Sequence, residues 1–130
     1  MSRLDLGKVN PFCQTGITRR RLERDVEREI LDYLEANVVG LFWKNYSSGV
    51  YDPQKKIFRP MTSVKGVPDI LGIVAGMFIG IEVKTPHNKV RPPHQVEFRD
   101  KVVEQGGICF FADSVDAVKE ELKLLGVGDG

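Results

Sequence analysis

Residues 66–84 read Gly-Val-Pro-Asp-Ile-Leu-Gly-Ile-Val-Ala-Gly-Met-Phe-Ile-Gly-Ile-Glu-Val-Lys, and only Asp69, Glu82 and Lys84 ionise in that apolar run. The stretch is too short to span a bilayer, which takes roughly 20 apolar residues. β-branched residues on both sides of Ala75-Gly76 mark two strands joined by a tight turn. With those two residues as the turn, Val74 faces Met77 and cross-strand partners have numbers that sum to 151. Asp69 then lies directly opposite Glu82, and opposed residues have Cβ atoms about 4.5–5.5 Å apart on one face. Side chains alternate along a strand, so Lys84 shares that face with Glu82, and Gly80 beside them leaves room. Like charges placed opposite each other destabilise a hairpin unless something offsets them. Two carboxylates and an ammonium converging in an apolar hairpin are the elements of a metal site with a lysine beside it.

The elements that must position this group follow from periodicity and punctuation. Residues 1–17 show no period and contain Gly7, Pro11 and Gly16, which predicts an N-terminal arm. From Thr18, an expected N-cap, a helix runs to about Ala36 with Leu22, Val26, Ile30, Tyr33 and Leu34 on one stripe. Leu41-Phe42-Trp43 opens a strand, and Ser47-Ser48-Gly49 and Asp52-Pro53 open turns around a small, basic, aromatic hairpin. After the central hairpin comes a loop from Thr85, then Pro92-Pro93 at the start of a helix ending at Gly106-Gly107. Ile108-Cys109-Phe110-Phe111 reads as a buried strand, and Ser114 caps a last helix to about Leu125, with residues 126–130 as a flexible tail. The order predicts one α/β domain over 18–125, a mixed β-sheet flanked by helices.

Two polar groups join the candidate site by position. Gln95 shares a stripe with Phe98 and Val102 and so faces the sheet. On the first helix Glu23 and Glu27 lie one turn apart beside Val26 and Ile30, and either could reach the carboxylates.

Charge is unevenly spread. The 130 residues carry a net charge of +1, but residues 1–91 hold 15 Lys and Arg against 10 Asp and Glu, while residues 92–130 hold 4 against 8. The basic groups include Arg19, Arg20, Arg21 and Arg24, then Lys44, Lys55, Lys56, Arg59 and Lys65, and finally Lys89 and Arg91. A metal site in a basic half suits a phosphate-bearing substrate. The N-terminus lacks the apolar core of a signal peptide, and no segment predicts a membrane anchor. Cys13 and Cys109 stand far apart in no metal spacing, so reduced thiols in a cytoplasmic protein are expected.

Together these residues resemble the PD-(D/E)xK nuclease superfamily, and most closely its virus-type replication–repair nuclease (VRR-NUC) branch. The resemblance covers about residues 20–118. It rests on the acidic first helix, Phe-Trp-Lys-Asn-x-Ser-Ser-Gly at 42–49, Gly66-x-Pro68-Asp69, Ile81-Glu82-Val83-Lys84, Gln95 and Gly106-Gly107. It implies a restriction-endonuclease-like fold with an α-β-β-β-α-β core. It also implies that Asp69, Glu82 and the Val83 carbonyl bind a metal ion, that Lys84 serves the attacking water or the phosphate, and that Gln95 belongs to the site. The first-helix ligand aligns best on Glu23, with Glu27 held as the alternative. Oxygen ligands suit Mg²⁺ or Mn²⁺ rather than zinc. Stand-alone members of this branch look like homodimers that cut branched DNA, including four-way (Holliday) junctions, and the aromatic segment at Tyr46, Tyr51 and Phe58 is the expected dimer surface. Arg19, Arg20, Arg24, Lys44, Lys65, Lys89 and Arg91 would grip phosphates without reading sequence. The alternative is a non-catalytic DNA-binding module of a replication or repair complex.

Overall fold

In the computed structural model, which describes residues 22–46, 50–59 and 64–127, Ala75 and Gly76 both take positive φ, 50° and 81°. That is the geometry of a tight hairpin turn whose twist matches its strands. It closes β4 (Ile70–Val74) on β5 (Met77–Val83), counting four earlier elements, and pairs Val74 with Met77 and Ile70 with Ile81, the register expected from the sequence.

The four earlier elements are α1 (Glu23–Asn37), β1 (Leu41–Lys44), β2 (Val50–Asp52) and β3 (Ile57–Arg59). After β5 come α2 (Pro93–Glu104), β6 (Ile108–Ala112) and α3 (Val115–Leu124). The main sheet has the order β1-β4-β5-β6. β1 and β5 run antiparallel to β4, and β6 is parallel to β5 after the α2 crossover. β2 and β3 form a separate hairpin whose turn is stapled by Asp52, which accepts from the N–H groups of Gln54 and Lys55 at 3.0 and 3.2 Å.

α1 and α3 cover one face of the sheet. Val26, Ile30 and Leu34 of α1, with Val118 and Leu122 of α3, bury against Phe42, Ile70, Ile79, Ile81, Val83 and Phe110. α2 covers the other face at β6. With helices on both sides, β5 is buried on both faces from Ile79 to Val83, so Glu82 cannot be a strand residue that points into water.

The helix ends follow their capping residues. Ser114 Oγ accepts from the Ala117 N–H at 3.0 Å, as its position before α3 predicts. α2 stops where Gly106 turns left-handed (φ 90°) and the Gly107 N–H reaches Val102 O at 2.9 Å, a Schellman closure. α3 ends the same way. Gly126 and Val127, placed in a tail from the sequence, close that motif, and Val127 packs on the core. The first helix departs from expectation at its start. It begins at Glu23, not Thr18, because Leu22 is extended and its N–H is taken by the Asp25 carboxylate at 3.2 Å. Thr18 and the arm expected over 1–17 lie outside the described residues. Among the described residues, no helix is long and apolar enough to cross a membrane.

Ala75 carries a Cβ in a conformation that favours Asn or Gly. Ala75→Asn should therefore stabilise the hairpin by about 0.5–1 kcal/mol, read as a higher denaturation midpoint at unchanged m.

Candidate active site

Asp69 is held by the three residues before it. Gly66 is left-handed (φ 81°), and a Cβ there would stand 2.2 Å from the His94 carbonyl oxygen, so only glycine lets this loop touch the first turn of α2. Pro68 is fully buried against β5. A Cβ on Gly80 would meet the Pro68 ring at 2.9 Å. The room that Gly80 leaves is thus filled by Pro68, not open beside the carboxylates as the sequence had suggested. The loop is clamped between α2 and β5, and Asp69 emerges at a fixed point. Its carbonyl accepts from the Asn45 N–H at 2.7 Å, and its carboxylate Oδ2 accepts from the Val83 N–H at 2.9 Å.

Across the hairpin, the Glu82 side chain hydrogen-bonds that of Asp69 and is only 6% exposed. Burial first, then the Asp69 hydrogen bond and charge, push the Glu82 carboxyl up to about 9, with Lys84 opposing the rise. At neutral pH Glu82 therefore keeps its proton against Asp69. Glu82 Oε2 is nevertheless buried with no hydrogen-bond partner, and so is Gln95 Oε1 at the head of α2. Lys84 follows on β5, buried (5% exposed), its N–H on Ala112 O at 2.8 Å.

The two acids of α1 differ in their company. Glu27 is buried and paired with Lys44 at 2.8 Å. Glu23, in the first turn, has its carboxyl raised by burial and then by Asp69, with Lys84 drawing it back down and Glu27 adding a smaller rise. Of the two, Glu23 is the one whose charge couples to Asp69 and Lys84.

Among the described residues, no three carboxylate, imidazole or thiol side chains stand close enough together to hold a metal ion as they are. The donor chemistry nonetheless fits a hard cation. Asp69 and Glu82 present oxygens, one of them buried without a partner, and Glu23 adjoins them in the field of the same charges.

The basic residues scatter. Arg19 and Arg20 lie outside the described residues. Arg24, Lys65, Lys89 and Arg91 are exposed. Lys44 is committed to Glu27 and sits 4.9 Å from the Tyr46 ring. Tyr46 and Tyr51 are exposed at 76% and 49%, and the Phe58 side chain is not among those described. Two residues enter the site unannounced. The parallel register sets Phe111 beside Glu82, and the Arg99 guanidinium lies 5.6 Å from the Phe111 ring. Arg99 is one helical turn beyond Gln95, which is the sequence signal that could have placed it. Nothing local marks Phe111. Two residues before Phe111 on β6, the Cys109 thiol is buried and pushed up to about 12, by burial and then Glu82, with Arg99 pulling it down.

The Glu82 proton has a consequence for stability. Glu82 ordinarily ionises near 4.5 and here near 9. Between those values the folded chain holds a proton that the unfolded chain has released, so the stabilisation is complete below the lower value and is lost as pH rises through the upper one. In chelator, stability should fall by about 1.4 kcal/mol per pH unit over that window. Glu82→Gln, which mimics the protonated form, should flatten the slope in urea titrations from pH 5 to 9, and an unchanged slope would show that Glu82 is ionised throughout.

No family model and no curated protein matches the sequence. Solved structures do. One described as a VRR_NUC domain aligns at a TM-score of 0.52 and 25% identity, covering 80% of this chain and 94% of that one. Another, a VRR_NUC domain protein, aligns at a TM-score of 0.61 over 86% of this chain and 94% of its own, and at 15% identity it speaks to the fold alone. The mixed sheet flanked by helices is that of the restriction-endonuclease-like fold. Gly66-x-Pro68-Asp69 and Glu82-x-Lys84 meet across one hairpin on that fold, and the likeness to these structures supports a VRR-NUC domain.

Proposed function

We propose that this chain is a Mg²⁺- or Mn²⁺-dependent endonuclease that hydrolyses phosphodiester bonds in branched DNA, four-way junctions being the first candidate. The observation that carries the reading is the contact of half-buried Asp69 with buried Glu82, with Glu82 Oε2 unpartnered among the described residues and Lys84 next on the same strand face. Asp69, Glu82, Glu23 and the Val83 carbonyl would hold the cation, which when bound supplies Lewis-acid polarisation of the phosphate and lowers the pKa of water.

The chain's own residues do the rest. Glu82 gives up its proton before both it and Asp69 can act as carboxylate ligands. Burial keeps Lys84 away from bulk water, so its ammonium orients the attacking water and offsets negative charge as it builds on the phosphate. Gln95, its Oε1 buried and unpartnered, takes a donor such as water at the head of α2. Arg24, Lys65, Lys89 and Arg91 are exposed and suit backbone contacts, which position DNA without reading its sequence. No element among those described has the form of a groove-reading helix, which favours selection by DNA structure.

A homodimer would set two such sites for paired nicks, with Tyr46 and Tyr51 as candidate contacts. Light scattering should give twice the chain mass at micromolar concentration. A second reading, a DNA-binding module without catalysis, draws on the Glu82 proton, since a pair neutralised by a proton needs no cation. One assay separates the two. Labelled four-way junction, flap, splayed-arm and linear duplex DNA are incubated with Mg²⁺, Mn²⁺ or EDTA. The wild type should cut one branched substrate only with metal. Asp69→Asn should bind it and not cut, and Lys84→Ala should keep the metal by calorimetry while losing roughly 10²–10³ in rate. Junction binding without cutting in either metal would favour the module, and normal cutting by Asp69→Asn would remove the acid pair from the mechanism.

A further inference from the structure

Phe111 is the register partner of Glu82 on the neighbouring parallel strand, so the two side chains leave the sheet on the same face. Three cations gather on its ring. The Arg91 guanidinium lies 4.6 Å from the ring centre, that of Arg99 5.6 Å, and the Lys84 ammonium 5.9 Å. They come from three places, the loop before α2, the second turn of α2, and the end of β5. The convergence is therefore tertiary and not a run of basic residues. One of the three, Arg99, comes from the acidic residues 92–130, where cations are few.

Neither guanidinium is neutralised in a way that accounts for it. Arg91 is exposed, and among the described residues its hydrogen bonding is a long 3.5 Å contact to the Val90 carbonyl. Arg99 meets Asp100 at 3.1 Å, but Asp100 is 63% exposed, and an ion pair in water holds weakly. The aromatic face holds both groups by cation–π attraction. Arg91 keeps its N–H fork largely open, whereas Arg99 turns its Nε and Nη2 to the exposed Asp100 carboxylate and keeps only its Nη1 edge open. A planar fork held in place with open donors matches phosphate oxygens. A nucleobase would have to displace the cations to reach the ring.

We infer that Arg91 and Arg99, held on Phe111, form a second phosphate subsite, which takes a backbone phosphodiester one or two nucleotides from the one that is cut. The inference deepens the nuclease reading and rests on it for the position of the cut. Lys84 shares the ring with the two arginines, so one nucleic-acid strand would pass from the carboxylate pair to the subsite along this face. Arg91 and Arg99 are positioning residues. They fix where the backbone lies and touch no reacting atom.

Fluorescence-anisotropy titration of four-way-junction DNA in EDTA, across a range of KCl, tests this without cleavage. Arg91→Ala/Arg99→Ala should lower the slope of log affinity against log salt by about 1. Arg91→Lys/Arg99→Lys should restore the slope but not the affinity, since charge returns without the fork. Phe111→Leu, which keeps an apolar side chain on β6, should weaken binding in the same direction. In cleavage with Mg²⁺, the double alanine variant should raise KM and leave kcat in place. A slope unchanged in the double variant would overturn the subsite, and so would a loss confined to kcat. Binding that is weakened by an abasic nucleotide next to the cut, and not by the arginine changes, would give the ring to a base instead. The slope effect with no cutting by the wild type would leave the subsite standing and remove the nuclease reading.

Discussion

Two carboxyl groups, half-buried Asp69 and buried Glu82, meet across one hairpin, and the geometry of the site follows from that contact. A buried pair of like acids cannot stay doubly ionised unless a cation or a proton intervenes. In the protein alone the proton takes that place, held by Glu82 to about 9. A pocket built only for stability would have no use for this arrangement, since two apolar residues at these positions would remove the cost. Keeping the acids suits the proposed function, in which a cation would displace the proton.

The contact is rigid because its supports leave little freedom. Gly66 allows the loop to touch the His94 carbonyl, and Pro68 fills the hollow over Gly80. The loop is thereby caught between a helix and a strand, each already fixed by the sheet. The same clamp ties Asp69 to the head of α2, so Gln95 and the hairpin that bears the acids are not independent. On the far side of the sheet, α1 packs Val26, Ile30 and Leu34 into the core, which carries Glu23 and Glu27 to the strand ends. There the two separate. Glu27 neutralises Lys44, and Glu23 is left in the field of Asp69 and Lys84.

The charge pattern takes a different shape in three dimensions from the one it has along the chain. Among the described residues, Arg24, Lys44, Lys65 and Lys89 are dispersed over α1, the loops and an ion pair. The denser grouping of cations near the acids is around Phe111, and one of its three members, Arg99, comes from the acidic half. Net charge by segment pointed to a phosphate-bearing substrate, but it could not say which face would meet it.

What the sequence determined by itself was local and periodic. The Ala75-Gly76 turn set a two-residue register, which placed Asp69 across from Glu82 and Lys84 on the same face, because strand side chains alternate without exception over so short a span. Ser114 and Gly106-Gly107 likewise marked helix ends through contacts a few residues away. What the tertiary structure decided lay in pairings between distant segments. Thr18 gave way to Leu22 as the helix start because Asp25 could take the Leu22 N–H. Gly80 proved to be space for Pro68. The choice between Glu23 and Glu27 hung on where Lys44 would come to lie, and the company of Phe111 on the parallel pairing of β5 with β6. Parallel strands are joined through a helix, so no turn residue records their register, and only the packing of α2 on the sheet sets it.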